Sequence, residues 1–202
     1  MAEEDTKVDA ELQPCDDSED PTQTPGYKPP AQKSVAEIEQ LDQDDESLVK
    51  YKKQLLGQLD GVKDEGGNNV LVKQMVFRTD GRDDITIDLT GDVSKLKQKP
   101  IIIKEGVEYC IVIKFRVQRE IVAGLRYYQE TFRKGIKVDK SSFMVGSYGP
   151  KTEFQEYTTK KDEAPKGMIA RGHYTIKSKF FDDDKNIYLE WEWSFDIKKD
   201  WE

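Results

Sequence analysis

The chain has 202 residues, of which 36% are hydrophobic and 36% are charged, and this balance suggests one ordinary domain plus a segment outside its core. Nine of the 40 acidic residues and one of the 32 basic residues lie in residues 1–25, so the net charge of −8 belongs to this tail and residues 26–202 are neutral. A neutral domain without a basic stripe argues against nucleic-acid binding, and the longest apolar run, 109–113, is far too short to span a bilayer.

The acidic tail, residues 1–25, repels itself and has little to bury, so we predict that it is disordered. It serves either as a solubilising tail or as an electrostatic lure for a basic partner segment. The chain opens without the apolar run of a signal peptide, and its two cysteines, Cys15 and Cys110, give no disulfide framework. We therefore expect a cytoplasmic protein.

Residues 26–60 carry the patterns of two short amphipathic helices. The first follows a capping box at residues 34–37, and the second begins near Asp44 or Asp45 and ends at Gly57. The apolar stripes of the two helices are Val35, Ile38 and Leu41, then Leu48, Tyr51 and Leu55. Because helices this short are marginal in isolation, we expect them to pack on the chain's own domain or to fold onto a partner.

From residue 69 to 202, after a glycine-rich linker over residues 61–68, the apolar pattern changes to a period of two. The alternation is clearest in 107–117 and 189–197, which predicts strands with one face in a core and one in water. Weaker strand candidates are 69–79, 84–89, 100–104, 124–133, 143–148 and 172–181. Seven or more short strands favour an all-β, immunoglobulin-like two-sheet sandwich, with a closed barrel as the competing architecture.

The sequence contains no recognisable catalytic or metal-binding constellation. The single histidine, His173, lies in a predicted strand, where such a residue usually has a surface or packing role. Residues 146–149 are followed by Pro150 instead of the lysine of a phosphate-binding loop. The acidic run 182–184 lacks the glycine and glutamate spacing of a calcium loop, so we predict a hairpin turn there. We expect a binding protein and not an enzyme, with no cofactor and no metal.

An aromatic wall is the most informative feature of the domain. Trp191 and Trp193 fall on the same side of the last predicted strand, together with Leu189 and Phe195. Such a wall is either an ordinary sandwich core or, where the two sheets splay at one end, the lining of an apolar slot able to hold a lipid chain.

Eight segments, in order and at similar spacing, resemble the Rho GDP-dissociation inhibitor family. They are YKPPAQKS (27–34), DDESLVKYKKQLLG (44–57), DLTGD (88–92), KEGVEY (104–109), FMVGSYGP (143–150), EAPKGMIARG (163–172), DDDK (182–185) and IKKDW (197–201). The resemblance implies a sandwich whose slot takes the geranylgeranyl group of a Rho-family GTPase, and an arm whose two helices form against the GTPase switch regions. Such a protein blocks GDP release and extracts the GTPase from membranes into the cytosol.

The resemblance also implies roles for single residues. The implied GTPase-binding residues are Tyr27, Ile38, Asp45, Leu48, Tyr51, Leu55, Leu56 and Asp184. The implied prenyl-binding residues are Phe77, Ile101, Tyr109, Ile121, Met168, Trp191 and Trp193. The implied contacts to the basic tail of the GTPase are Asp139, Asp162 and Glu163. The implied partners are prenylated, preferentially GDP-bound Rho-family GTPases, taken up by a monomer as a 1:1 heterodimer without nucleic acid and without stable membrane insertion.

Two departures from the family pattern affect these roles. The bases Lys160 and Lys161 stand beside the acidic pair Asp162 and Glu163, and the turn at residues 79–83 differs from the usual one. Two other functions also stay open at this point. One is a general carrier of prenyl lipids that ignores the GTPase body, and the other is a structural interaction domain with a fully packed core.

Overall fold

The computed structural model describes residues 45–50 and 64–201, and residues 46–50 are helical. Within residues 64–201, ten β-strands form two sheets and a 3₁₀ helix covers Val93–Gln98. The strands are β1 (Val70–Thr79), β2 (Ile85–Asp88), β3 (Ile101–Lys104), β4 (Glu108–Val117), β5 (Val122–Arg133), β6 (Ile136–Tyr148), β7 (Gln155–Thr158), β8 (Asp162–Glu163), β9 (Gly172–Phe181) and β10 (Ile187–Lys198).

The two sheets confirm the predicted all-β sandwich. The first sheet has the order β2-β1-β4-β7, with the short strand β8 also paired to β4, and the second has the order β3-β10-β9-β5-β6. Neighbouring strands in these two sheets are antiparallel except for β3 and β10, which run parallel. Each sheet keeps its own set of strands over residues 64–201, so the described part of the chain is a sandwich and not the alternative closed barrel.

The core lies between the inner faces of the two sheets, as the alternating pattern predicts. Phe115 on β4 and Phe180 on β9 are fully buried and contact each other across the sheets, with ring centroids 5.3 Å apart. Tyr148 on β6 meets Phe115 edge to face at 5.0 Å. These aromatic contacts close one part of the sandwich tightly, which leaves any apolar slot to another part of the inter-sheet space.

The outer face of β4 is more covered than the alternating pattern predicts. Arg116, which we expected to point toward water, is buried, and so is Val112 on the same face. Arg116 donates to Glu65 at 2.5 Å, and its guanidinium lies 5.5 Å from the ring centroid of Phe154. The prediction of a solvated position was therefore wrong for Arg116, which contacts Glu65 before β1 and Phe154 before β7, whereas Glu108 on the same face is exposed as predicted.

The outer face of β10 is also partly covered. The 3₁₀ helix Val93–Gln98 packs there, and the hydroxyl of Ser194 donates to the carbonyl of Lys97 at 2.8 Å. Asp92 caps this helix by accepting from the backbone N–H of Ser94 at 3.1 Å. The buried Ser194 is thus explained by a helix that sequence periodicity did not predict.

Three elements differ from the predicted strands. The strand predicted at 143–148 starts earlier, at Ile136, because β6 is an edge strand whose residues are mostly exposed or half-buried and so show no alternation. The strands β7 and β8 were not predicted. Both are short edge segments of mixed polarity, four and two residues long, which are too short for a periodic signal.

Candidate functional site

The predicted aromatic wall forms on β10, where alternate side chains point between the sheets. Trp191, Trp193 and Phe195 are all buried on this inner face. Trp193 and Phe195 lie 5.9 Å apart by ring centroid, and Phe195 stacks on Tyr174 of β9 at 5.1 Å. Trp191 stacks on Tyr127 of β5 at 5.9 Å. The wall therefore continues sideways across three strands of the second sheet.

A cavity of about 240 Å³ lies between the two sheets at one end of this wall. Its lining residues are Tyr109, Ile111, Gln129, Thr131, Val138, Asp139, Asp162, Glu163, Pro165, Tyr174, Ile176, Trp193 and Phe195. The deep residues Ile111, Ile176 and Trp193 are almost fully buried. Asp139, Asp162, Glu163 and Pro165 are exposed and mark its mouth. A cavity with an apolar interior and a charged mouth suits an apolar ligand that enters from one end.

A chain of buried polar groups holds Trp193 in place. The indole Nε1 of Trp193 donates to Ser178 Oγ at 3.0 Å. Ser178 Oγ also lies 3.1 Å from the Tyr127 hydroxyl, which in turn donates to Gln129 Oε1 at 3.0 Å. Burial raises the pKa of Tyr127, so its hydroxyl stays protonated and keeps its role as a donor. Because these groups satisfy one another, the polar residues behind the wall cost little to bury.

Acidic side chains surround the mouth of the cavity. Tyr109 donates to Asp162 Oδ2 at 3.3 Å, and burial raises the pKa of Tyr109, with the Asp162 carboxylate adding to the effect. Lys161 does not neutralise Asp162, since its ammonium pairs with Asp80 at 2.7 Å instead. Glu163 forms an ion pair with Lys166. Lys161, one of the two bases noted beside the acidic pair, is thus directed toward the β1–β2 turn and away from Asp162.

A charged clamp fixes the segment that follows β8. The carboxylate of Glu105 accepts two hydrogen bonds from Arg171, at 2.7 and 2.9 Å, and one from the backbone N–H of Gly167 at 3.0 Å. These donors lower the pKa of Glu105 to about 2, with the Arg171 hydrogen bond as the largest cause. The clamp holds residues 164–171 against the edge of the cavity, where Pro165 contributes to the lining.

The structure brings only some of the predicted site residues into this cavity. Those that line it are Tyr109, Trp193, Asp139, Asp162 and Glu163. Phe77 stacks behind Tyr109, with centroids 4.9 Å apart. Ile101 is buried on β3 beside Phe195, and Trp191 is buried against Tyr127. Met168, at 82% exposure, and Ile121, between β4 and β5, lie outside the lining.

Several lining residues were not predicted as site residues. Ile111 and Ile176 follow the same alternation as their neighbours, so the strand pattern could have nominated them without telling a cavity from a core. Gln129 and Thr131 are polar inward-facing residues on β5, buried at the cavity wall. No sequence signal distinguishes them, because a polar residue at an inward position usually marks an edge or an irregularity.

The described part of the arm consists of one helical turn. Asp45 caps it, since Asp45 Oδ1 accepts from the backbone N–H groups of Ser47 at 2.8 Å and Leu48 at 3.2 Å. This confirms the predicted helix start near Asp45, and the side chain of Leu48 is exposed there. Other predicted features lie outside the described residues. These are the acidic tail, the first helix, Tyr27, Ile38, Tyr51, Leu55 and Leu56.

The acidic run 182–184 forms the predicted turn between β9 and β10. Asp182 is buried and accepts from the backbone N–H of Asn186 at 2.8 Å and from the Tyr188 hydroxyl at 2.5 Å. Asp184 is half-buried next to it. Within residues 45–50 and 64–201, no three His, Cys, Asp or Glu side chains group so as to hold a metal ion. His173 sits exposed and contacts Asp196 at 2.7 Å through Nδ1.

A larger groove of about 580 Å³ lies on the outer face of the second sheet. Its charged residues are already paired, with Lys179 3.0 Å from Glu190 and Lys177 3.8 Å from Glu192. Such a ladder of cross-strand ion pairs is typical of a solvated sheet face. The inter-sheet cavity, although smaller, is the better candidate because it reaches between the sheets to the buried side chains of Ile111, Ile176 and Trp193.

The fold and the cavity together define a β-sandwich protein with a cavity between its sheets that is lined largely by apolar side chains. The family described as RHO protein GDP dissociation inhibitor matches residues 12–200. Human Rho GDP-dissociation inhibitor 1 is 50% identical over 202 residues, which cover 100% of this chain and 99% of that protein. Mouse Rho GDP-dissociation inhibitor 3 is 44% identical over 96% of this chain and 86% of that protein. The chain therefore belongs to the Rho GDP-dissociation inhibitor family.

A Niemann-Pick type C2 protein from the Japanese carpenter ant aligns in structure with a TM-score of 0.43 and 13% identity, covering 68% of this chain and 98% of that chain. This likeness is too slight to carry an argument. Among residues 45–50 and 64–201, no helix is long and apolar enough to cross a membrane.

Proposed function

We propose that this chain is a Rho GDP-dissociation inhibitor that shelters the geranylgeranyl group of a GDP-bound Rho-family GTPase between its two sheets. The complex holds the GTPase off membranes, in the cytosol, and slows the release of GDP. The observation that carries the proposal is an aromatic-walled inter-sheet cavity in a chain that is 50% identical, over its whole length, to human Rho GDP-dissociation inhibitor 1. The relatives are named as inhibitors, which supports a regulator and not an enzyme.

The small volume of the cavity supports a site that widens when the lipid binds. Its volume is about 240 Å³, below the roughly 300–1,000 Å³ of sites that enclose a drug-sized ligand. A prenyl chain of about twenty carbons therefore needs the mouth to widen. Tyr109 and Val138 line the cavity but are only half-buried, so they can shift at lower cost than the closely packed Trp193.

The free energy of extraction has separate contributions from the cavity and from the contacts outside it. At ~0.8 kcal/mol per buried methylene, a prenyl chain of about twenty carbons gains a gross transfer energy of ~16 kcal/mol in either a bilayer or a protein pocket. The cavity alone is therefore roughly equal in energy to the membrane. Contacts outside the cavity must tip the exchange, and ~3 kcal/mol shifts it more than a hundredfold. We assign that bias to the GTPase body and to the charged mouth.

The described part of the arm supports a GTPase contact. Its helical turn begins at the capping residue Asp45 and presents an exposed Leu48. An exposed leucine next to a charged helix start suits a helix that packs on a partner, forming a 1:1 complex. Tyr51, Leu55 and Leu56 continue this face in the proposed complex, with Asp184 at the sandwich edge.

The acidic mouth supports a contact to a basic segment beside the prenylated cysteine. Asp139 and Asp162 are exposed at the rim of the cavity. A basic peptide that follows a lipid into the cavity would pass between them. Rim charges of this kind act mainly on the rate of association and on its salt dependence.

Filling the cavity is the direct test. Thr131→Phe places a ring in the lining, and Thr175→Phe places the same ring on the adjacent strand but on the opposite face of the sheet. The first variant should weaken binding of a fluorescent geranylgeranylated cysteine peptide at least about tenfold, a loss of about 1.4 kcal/mol, while the second binds normally. Thermal unfolding checks that overpacking costs no more than about 1–3 kcal/mol. Equal peptide affinity in all three proteins would overturn the proposed site.

Nucleotide release tests the inhibitor part of the proposal separately. The intact chain should slow the release of a fluorescent GDP analogue from a geranylgeranylated Rho-family GTPase. A chain lacking residues 1–57 should bind the prenylated peptide but leave GDP release unchanged. If the truncated chain inhibited release as well as the intact one, the arm would have no part in inhibition.

A further inference from the structure

Two neighbouring tips of the sandwich stand beside the mouth of the cavity. One is the β5–β6 turn, residues 133–136, and the other is the loop 164–171 between β8 and β9. Arg133 joins them by donating to the carbonyl of Arg171 at 2.7 Å. The Arg133 guanidinium also lies 5.2 Å from the ring centroid of Tyr174, which lines the cavity. The two tips therefore form one surface next to the opening.

This surface, which we call the mouth tips, exposes large apolar side chains. Met168 is 82% exposed, Ile169 is 55% exposed and Ile136 is 54% exposed. They are three of the seven large hydrophobic residues exposed within residues 45–50 and 64–201. Exposed aliphatic residues scattered singly need no explanation, but a group at the entrance of an apolar cavity does.

The exposure of Met168 and Ile169 is imposed by the local backbone. The N–H groups of Ala170 and Arg171 both donate to the carbonyl of Gly167, at 3.1 and 3.3 Å, and form a turn with Met168 and Ile169 at its apex. The Glu105 carboxylate holds both ends of this turn, through Gly167 and Arg171. The chain thus presents the two apolar side chains on a fixed turn.

We propose that the mouth tips, Ile136, Met168 and Ile169, are a contact surface for a phospholipid bilayer during transfer of the prenyl group. This inference rests on the proposed function, because a lipid that starts in a bilayer must leave it through the mouth of the cavity. Apolar side chains at the headgroup boundary bring that mouth to the membrane surface. Three such residues give a weak and reversible contact, which lets the loaded complex leave.

Charges near the mouth favour a neutral bilayer surface. Asp139, Asp162 and Glu163 line the opening beside the tips, and Lys134 and Lys166 are the exposed bases on the tips themselves. Lys166 is paired with Glu163, and Lys134 offsets one of the two remaining rim acids, so the surface carries little net charge and apolar insertion supplies the attraction. We therefore take phosphatidylcholine as the test surface.

The proposal makes a kinetic prediction. The contact exists while lipid moves between bilayer and cavity and is absent when the loaded complex is in solution. Replacing the three residues should therefore slow extraction and re-insertion by the same factor and leave the equilibrium distribution unchanged. By contrast, a residue that holds the prenyl group or the GTPase in the complex would shift the equilibrium.

The experiment compares two multiple variants of the full-length chain. The test variant carries Ile136→Ser, Met168→Ser and Ile169→Ser, and the control carries Met144→Ser and Ile187→Ser, which remove exposed apolar residues elsewhere. Stopped-flow transfer of a geranylgeranylated GTPase between phosphatidylcholine vesicles and each protein gives both rates. We expect about a tenfold fall in both rates for the test variant only. Because none of the three side chains lines the cavity, affinity for a soluble geranylgeranylated peptide should be unchanged. Unaltered rates overturn the proposal, and a parallel loss of peptide or GTPase affinity assigns the residues to those partners instead.

A second measurement tests the bilayer contact independently of the proposed function. A polarity-sensitive fluorophore is attached to Met168→Cys, and for comparison to Met144→Cys, in a Cys15→Ser chain whose Cys110 is buried. With phosphatidylcholine vesicles and no GTPase, the probe at 168 should shift to shorter wavelength and the probe at 144 should not. A silent probe at 168 contradicts the bilayer contact even where extraction succeeds. A shift at 168 in a chain that binds no prenylated peptide would refute the proposed function alone.

Discussion

Trp193 Nε1 donates to Ser178 Oγ at 3.0 Å, and this bond ties the aromatic wall of β10 to its neighbour β9. Trp191, two residues earlier on the same inner face, has a buried Nε1 without a hydrogen-bond partner among the described residues. The two tryptophans therefore have different structural roles. Trp193 is an oriented wall of the cavity, whereas Trp191 packs against Tyr127 in the core.

Removing the Ser178 hydroxyl should destabilise the sandwich. Ser178→Ala leaves the Trp193 indole N–H without its acceptor and the Tyr127 hydroxyl with one partner fewer. A buried polar group left unsatisfied costs about 1–3 kcal/mol, which urea denaturation measures. Ser142→Ala on the exposed part of β6 is the matched control and should change stability by less than about 0.5 kcal/mol. Equal stability of the two variants would contradict the importance of the bond.

Neutralising the acidic mouth should weaken binding of a basic lipidated peptide. In the variant with Asp139→Asn and Asp162→Asn, two exposed rim charges are lost, and exposed charges contribute roughly 0.2–1 kcal/mol each. We expect a loss of about three- to tenfold in affinity at low salt, and a smaller loss at high salt because screening already weakens the attraction. The comparison peptide carries the same lipid with its basic residues replaced by serine. If both peptides lost affinity equally, the acids would act on the cavity and not on the basic segment.

The two functions of Asp45 can be separated. Asp45→Ala removes both the charge and the helix cap, at a cost of about 1 kcal/mol of helix stability. Asp45→Asn removes the charge but keeps an oxygen that can cap the helix. If the charge contacts the GTPase, both variants should lose GTPase affinity, while urea unfolding of the sandwich stays at the wild-type midpoint. Wild-type affinity in the asparagine variant would show that Asp45 acts by capping alone.

The clamp at Glu105 predicts a pH dependence. Its pKa in the folded chain is about 2, below the ordinary 4.5, so its ion pair stabilises the fold above about pH 4.5 and is lost as the pH falls toward about 2. Glu105→Gln removes this contribution at neutral pH and flattens stability over that acidic range. Unfolding midpoints at pH 7, 4.5, 3 and 2 measure the effect. If the unfolding midpoint of the glutamine variant fell with pH as steeply as that of the wild type, other carboxylates would cause the pH dependence.

The strongly periodic strands and the aromatic wall were predictable because their inward residues are large and evenly spaced. The helix start at Asp45 was predictable for a similar reason, since a capping aspartate leaves a local signal. The cavity itself was not, because Trp191 and Trp193 look alike in sequence, whereas in the structure Trp193 lines the cavity and donates to Ser178 and Trp191 does neither. Met168 was assigned to prenyl binding through resemblance, whereas the structure places it outside the cavity.

Edge elements account for most of what the sequence did not reveal. The strands β7 and β8 and the 3₁₀ helix Val93–Gln98 are short, and their positions depend on the strands they cover and not on their own periodicity. Burial of Arg116 likewise depends on Glu65 and Phe154, which are distant in sequence. Long-range packing of this kind leaves no local pattern to interpret.

The central claim is that the inter-sheet cavity removes a prenylated GTPase from membranes, and sedimentation with vesicles tests it most directly. Vesicles loaded with a geranylgeranylated, GDP-bound Rho-family GTPase are mixed with the intact chain, with Thr131→Phe or with Thr175→Phe, and then pelleted. The account predicts that the intact chain and Thr175→Phe move the GTPase into the supernatant, while Thr131→Phe leaves most of it in the pellet. A GTPase that stays with the vesicles at saturating intact chain, or that Thr131→Phe extracts equally well, would contradict the account.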